Sequence, residues 1–122
     1  MGKSLVMTGA TVLVALSGCG GVSEMTRQQV ARSETAVQQA QAAIGNSEAG
    51  ALELQQAKDL FSQARQAVEK KDDQRAQRLA AMAELDAQLA VAKAQSAGAR
   101  KAADELLASI RTLREEAERN SR

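Results

Sequence analysis

From Glu24 onward the chain has no proline, and alanine recurs every few residues, with 24 alanines between Cys19 and Arg122. Alanine is the strongest helix former, and Glu, Gln, Lys, Arg and Leu, which fill most of the remaining positions, follow it closely. Residues that favour strands are scattered and never alternate. The pattern predicts an all-α protein, either an antiparallel helical hairpin or a three-helix bundle, with a long C-terminal helix of coiled-coil character. A side chain as small as alanine buries little apolar area. The core is therefore expected to be thin, and stability modest, with helices in close approach. Phe61 is the only aromatic residue, and the chain has no Trp, Tyr or His.

The N-terminus has the parts of an export signal: Lys3, an apolar run from about Leu5 to Leu16, and small residues before an expected cut. That run is about 12 residues, against the roughly 20 that a spanning helix needs. It is also interrupted by Thr8, Gly9 and Thr11, so a cleaved segment is expected rather than a transmembrane anchor. Met1-Gly2 begins like a myristoylation site, but Val6 stands where that pattern requires Ser or Thr.

Leu16-Ser17-Gly18-Cys19 contains the one cysteine of the chain. It resembles the lipobox of bacterial lipoproteins. The resemblance implies cleavage between Gly18 and Cys19, a diacylglycerol on the sulfur of Cys19 and an acyl chain on its new amino group. Several chains together make an anchor that one chain cannot. Gly20, rather than Asp, follows the cysteine. By resemblance to enterobacterial sorting, this implies delivery to the outer membrane, facing the periplasm. A lipidated Cys19 leaves no thiol for a disulfide.

The expected organisation is a signal peptide over 1–18, a lipidated tether over 19–23 and a helical domain over 24–122, with helices at about 24–44, 48–71 and 73–119. Ser23 or Thr26 is placed to cap the first helix. Its buried face is read from Val30, Ser33, Val37, Ala40 and Ile44, at spacings of three and four. Gly45-Asn46-Ser47 ends it, with Gly45 suited to the left-handed conformation after the last turn and Asn46 or Ser47 to capping the second helix. Gly50 weakens the start of that helix. Leu54, Ala57, Leu60, Phe61, Ala64, Ala67 and Val68 give it the widest apolar stripe.

A tight turn is expected at Lys70-Lys71-Asp72-Asp73, where Asp72 or Asp73 can cap a third helix. The turn has no glycine or proline, so one continuous helix is the alternative. Beyond it, Ala76, Leu79, Ala80, Ala83, Ala87, Ala90 and Ala94 share one side, with Met82, Leu85 and Leu89 on an adjoining side. The two stripes predict contact with both earlier helices. Ala99, Ala103, Leu106, Ile110, Leu113 and Ala117 then form a heptad seam of nearly three repeats. The shorter helices cannot cover all of a helix about 70 Å long. Leu106, Ile110 and Leu113 are therefore candidates for a contact with a partner or a second copy, or for packing on the first helix.

Leu52-Glu53-Leu54-Gln55-Gln56-Ala57-Lys58, Ala64-Arg65-Gln66-Ala67, Lys71-Asp72-Asp73, Ala76-Gln77-Arg78-Leu79-Ala80 and Asp86-Ala87-Gln88-Leu89-Ala90 together resemble a family of bacterial envelope proteins, domain of unknown function 4398. The similarity covers roughly Arg32 to Ala97. It implies an alanine-rich helical hairpin, often in lipoproteins and sometimes beside an OmpA-like peptidoglycan-binding domain. It implies no catalytic residues. Asp73 and Gln74 stand where the commonest pattern of the family has an aromatic residue.

The sequence lacks the usual residues of enzyme chemistry. Nucleophilic catalysis wants a base, usually histidine. Zinc and copper sites lack their usual ligands. Asp72-Asp73 and Glu115-Glu116-Glu118 lack the spaced oxygens and glycine of a calcium loop and read as a cap and a solvated face. Without Lys3, 15 basic residues balance 15 acidic ones. No net charge draws nucleic acid, and one Phe makes no stacking platform. No metal, no small-molecule substrate and no cofactor other than the lipid is expected. The expected function is a structural or partner-binding lipoprotein of the envelope, held by its lipid anchor and engaging an envelope protein or itself. The alternative is a noncovalent peptidoglycan-associated linker resembling Braun lipoprotein in architecture. Covalent attachment in that protein uses a C-terminal lysine, where this sequence reads Asn120-Ser121-Arg122. An amphipathic helix lying on lipid is disfavoured, because the seam lacks a basic face and interfacial aromatics.

Overall fold

The computed structural model describes residues 21–122 and contains three helices, α1 (Glu24–Ile44), α2 (Ala51–Glu69) and α3 (Asp73–Asn120). Among the described residues no strand forms. The helices run up, down and up. α1 starts beside the start of α3, where the Ser23 amide donates to Asp73 Oδ1 at 2.6 Å. α2 starts against the middle of α3, where Gly50 meets Ala90 and Glu53 pairs with Lys93.

α3 is the spine. α1 and α2 pack mainly on it and less on each other. Its buried stripe is Ala76, Ala80, Ala83, Ala87 and Ala90, each with no exposed surface. The spacings of four and three are those of a heptad, so the helices coil around one another rather than cross steeply. Methyl-sized side chains let the axes approach to about 8 Å, the close end of the usual range. Val37, Ala40 and Ile44 of α1 meet Leu54 and Ala57 of α2 over Ala87 and Ala90, with Phe61 and Val91 half-buried at the margin. Thr26 and Ser33 are also fully buried on α1, and Ser33 returns its hydroxyl proton to the Val30 carbonyl at 2.7 Å. Small polar residues thus stand in for alanine without leaving a buried donor unmet.

Ser23 caps α1 by accepting from the Thr26 amide at 3.2 Å. Gly45 ends it at φ 53 and ψ −118, a positive φ but not the expected left-handed helical conformation. Neither Asn46 nor Ser47 caps α2. The cap is Gly50, at φ 85, so the helix begins at Ala51 rather than near residue 48. Ser47 instead accepts from the Ala49 amide within the loop.

The turn at 70–72 is real, and α2 and α3 are separate helices. The Lys71 amide donates to the Val68 carbonyl at 3.0 Å, and the Asp72 amide to the Ala67 carbonyl at 2.9 Å. This is the Schellman pattern, with its left-handed position filled by Lys71 at φ 58 instead of glycine. Asp72 closes one helix and opens the next, because its Oδ1 accepts from the Arg75 amide at 3.1 Å.

The expected contact of α3 with both earlier helices forms, but Met82, Leu85 and Leu89 are exposed instead of contributing a second stripe to it. α1 and α2 bind the two flanks of the alanine stripe, which leaves the opposite side of α3 bare.

Candidate functional site

The bare side of α3 carries one continuous seam. The spacing read from Ala99 to Ala117 extends back through Ser96, Ala92, Leu89 and Leu85 to Met82 without a skip. Eleven positions alternate at three and four residues over about 53 Å of helix, and most of their surface faces water. Leu85 is 63%, Leu106 62% and Leu113 63% exposed, while Ile110, the least exposed of the large residues, is 37%. Leu107 lies beside the seam and is also exposed.

Two segments of α3 support this seam differently. Up to about Ala97 the bundle backs it. From Ala99 to the end of the helix every residue is exposed, and among the described residues nothing else packs on α3 for about 33 Å. Leu106, Ile110 and Leu113 do not fold back on α1. Met82, Leu85 and Leu89 are members of the same surface, and their spacing was the signal for it. The change of composition at Ser96 and Gly98 divides the stripe to the eye but not in register.

The seam is large at both ends and small in the middle. Met82, Leu85 and Leu89 lead into Ala92, Ser96, Ala99 and Ala103, and Leu106, Ile110 and Leu113 follow. No charged residue occupies any of the eleven positions. A helix with its own apolar stripe is the natural complement to such a face.

The chain upstream enters at the far end from the lone segment. Val22 is buried, and Ser23 is tied to Asp73 through both its amide and its hydroxyl. The Ser23 amide holds the Asp73 carboxyl below its ordinary range. Leu16, Ser17, Gly18 and Cys19, the expected lipobox and lipidation site, lie outside the described residues.

Other surfaces offer less chemistry. An open groove of about 560 Å³ runs between α1 and α3, lined by Arg32, Thr35 and Gln39 on one wall and Glu84, Gln88 and Val91 on the other. It has alanine beneath, and its one hydroxyl, Thr35, donates to the Ala31 carbonyl of its own helix at 3.1 Å. Lys93 donates to Glu53, and this hydrogen bond holds the Glu53 carboxyl below its ordinary range despite its burial. The pair fastens the first turn of α2 to α3. Among the described residues no group of His, Cys, Asp or Glu is gathered to hold a metal, and no helix is long and apolar enough to cross a membrane. Asp72 and Asp73 are spent on caps and on Ser23, and Glu115, Glu116 and Glu118 are exposed.

No curated protein and no solved structure matches this chain. The model of a domain of unknown function, DUF4398, matches residues 28–106, which takes in most of α1, all of α2 and about the first two-thirds of α3. That match spans more than half of the sequence, and the chain belongs to the DUF4398 family.

Proposed function

We propose that this protein is a lipid-anchored structural module of the bacterial outer membrane, facing the periplasm and acting through the outer seam of α3. Cys19 carries the acyl chains, and Leu106, Ile110 and Leu113 make contact with a partner helix. The observation that supports the reading is where the described chain enters the bundle. Ser23 is fixed beside Asp73 at one end of the bundle, while the lone segment of α3 projects from the other. Cys19 lies within about 14 Å of Ser23 at full extension. An anchor there holds the bundle against the bilayer and sends the bare end of α3 away from it. A seam of this length exposed to water costs solubility unless something covers it, which supports a binding role. No catalytic step belongs to this reading.

The experiment has two parts in intact cells. Labelling with a palmitate analogue should mark the full chain and be lost in Cys19→Ala. Photo-crosslinking from Leu106, Ile110 and Leu113, with adducts identified by mass spectrometry, should give discrete protein adducts. Absence of label removes the anchor from the reading. Adducts only to peptidoglycan peptides replace partner binding with the wall-linker reading.

A further inference from the structure

We infer that the outer seam of α3 is closed by the same seam of a second copy, as a parallel, in-register, two-stranded coiled coil. The pairing rests on the seam itself, and its orientation rests on the proposed anchor at Cys19.

Three or four heptads suffice to specify a coiled coil, and this seam runs for about five. Its size profile suits a second copy: laid in register, small faces small at Ala92, Ser96, Ala99 and Ala103, which lets the backbones close in, and bulk faces bulk at Met82, Leu85, Leu89, Leu106, Ile110 and Leu113. Ile110 falls at an a position between Leu106 and Leu113 at d positions, the combination that favours two parallel strands.

Flanking charges and the tether choose the direction. In parallel register the residues that face each other beside the seam are Gln88 with Lys93, Gln95 with Arg100 and Ser109 with Arg114, and no like charges meet. The antiparallel arrangement with the same size matching would set Lys93 opposite Arg100 twice, a repulsive pair from each chain. It would also put the two Ser23 ends about 70 Å apart. Two short tethers to one bilayer call for both Ser23 ends on the same side.

The test is disulfide trapping of the full chain in membranes of cells that produce it. Ala117→Cys sits at the last seam position, and Ala108→Cys on the opposite face of α3 is the control. Both residues are exposed, so neither change disturbs the bundle. Oxidation should convert Ala117→Cys to a disulfide-linked dimer several-fold more completely than Ala108→Cys or the unsubstituted chain, whose Cys19 sets the background. An amine-reactive crosslinker on the unsubstituted chain should stop at the mass of two copies. Equal, low yields at both positions overturn the pairing. A trimer ladder overturns the two-stranded form. Dimer from Leu89→Cys combined with Leu106→Cys, but none from Ala117→Cys, overturns the parallel direction. Palmitate labelling of the same membranes judges the anchor separately, since the yield at Ala117 reads pairing whether or not Cys19 is acylated.

Discussion

Gly50 rests against the backbone of Ala90, so closely that a Cβ built on it would lie under 3.0 Å from the Ala90 carbonyl oxygen. Gly50 also has φ 85. Two independent requirements therefore meet at one glycine: a left-handed backbone and no side chain. This contact is where α2 is set down on α3, and it explains why the helix starts late.

Gly50→Ala should cost at least about 2 kcal/mol, the positive φ accounting for about 1–2 of it and the backbone clash for the rest. Gly45→Ala isolates a purely conformational loss. Gly45 holds φ 53 with ψ −118, outside the left-handed helical region, and nothing lies within 4 Å of its missing Cβ, so its loss of about 1–3 kcal/mol comes from the backbone alone. Urea unfolding followed by circular dichroism reads both. A loss at Gly50 of no more than about 1 kcal/mol, the φ term by itself, would mean that α2 shifts along α3 to make room.

The turn between α2 and α3 makes the opposite prediction. Lys71 holds φ 58, a conformation that costs an ordinary residue about 1 kcal/mol and glycine almost nothing. Lys71→Gly should raise stability by up to about 1 kcal/mol, less what glycine adds to the freedom of the unfolded chain. Lys71→Val should lower it by about 1–2 kcal/mol, since a β-branched residue tolerates positive φ least. If both variants unfold at the same urea concentration, the turn is not strained at Lys71.

Much of this architecture is legible in the sequence, and the failures have physical reasons. Alanine at spacings of three and four marks the buried stripe of α3, and Ser23, Gly45 and Asp72 mark boundaries because their side chains or lack of one answer a specific backbone need. The start of α2 is harder to read, because Ser47 looks like a cap and the close approach of Gly50 to Ala90 is a tertiary fact. The outward face of Met82, Leu85 and Leu89 is hidden for a different reason. Apolar spacing says that residues share a face but not which of two faces the bundle takes. Alanine won that competition against Leu and Met because it lets three backbones approach. Bulk is no guide to burial in a core built on close approach.

Acid should weaken the fold through two carboxylates. Lys93 lowers the Glu53 carboxyl below its ordinary 4.5, and the Ser23 amide lowers Asp73 below 3.8. In both cases the unfolded chain binds a proton more readily than the folded one. The stabilisation is fully present above about pH 4.5, and it is lost as pH falls below the ordinary values toward the lowered ones. Urea midpoints measured from about pH 6 to about pH 2.5 should decline across that window. Glu53→Gln should flatten the upper part of the decline and Asp73→Asn the lower part. An unchanged slope in both variants would assign acid sensitivity to other carboxylates.

The alanine stripe of α3 sets the last prediction. If alanine is there for close approach, both enlargement and reduction should destabilise. Ala87→Leu inserts three carbons where α1 and α2 both press on α3 and should cost about 1–3 kcal/mol through overpacking. Ala80→Gly removes one buried methyl and loosens the helix, for a combined loss of about 2 kcal/mol. Ala108→Leu, on the exposed lone segment, should stay within about 0.5 kcal/mol. Thermal and urea unfolding of the three variants give the ordering directly. A stabilised Ala87→Leu would show instead that the helices stand apart with room to fill, and that alanine is present in this core for helix propensity alone.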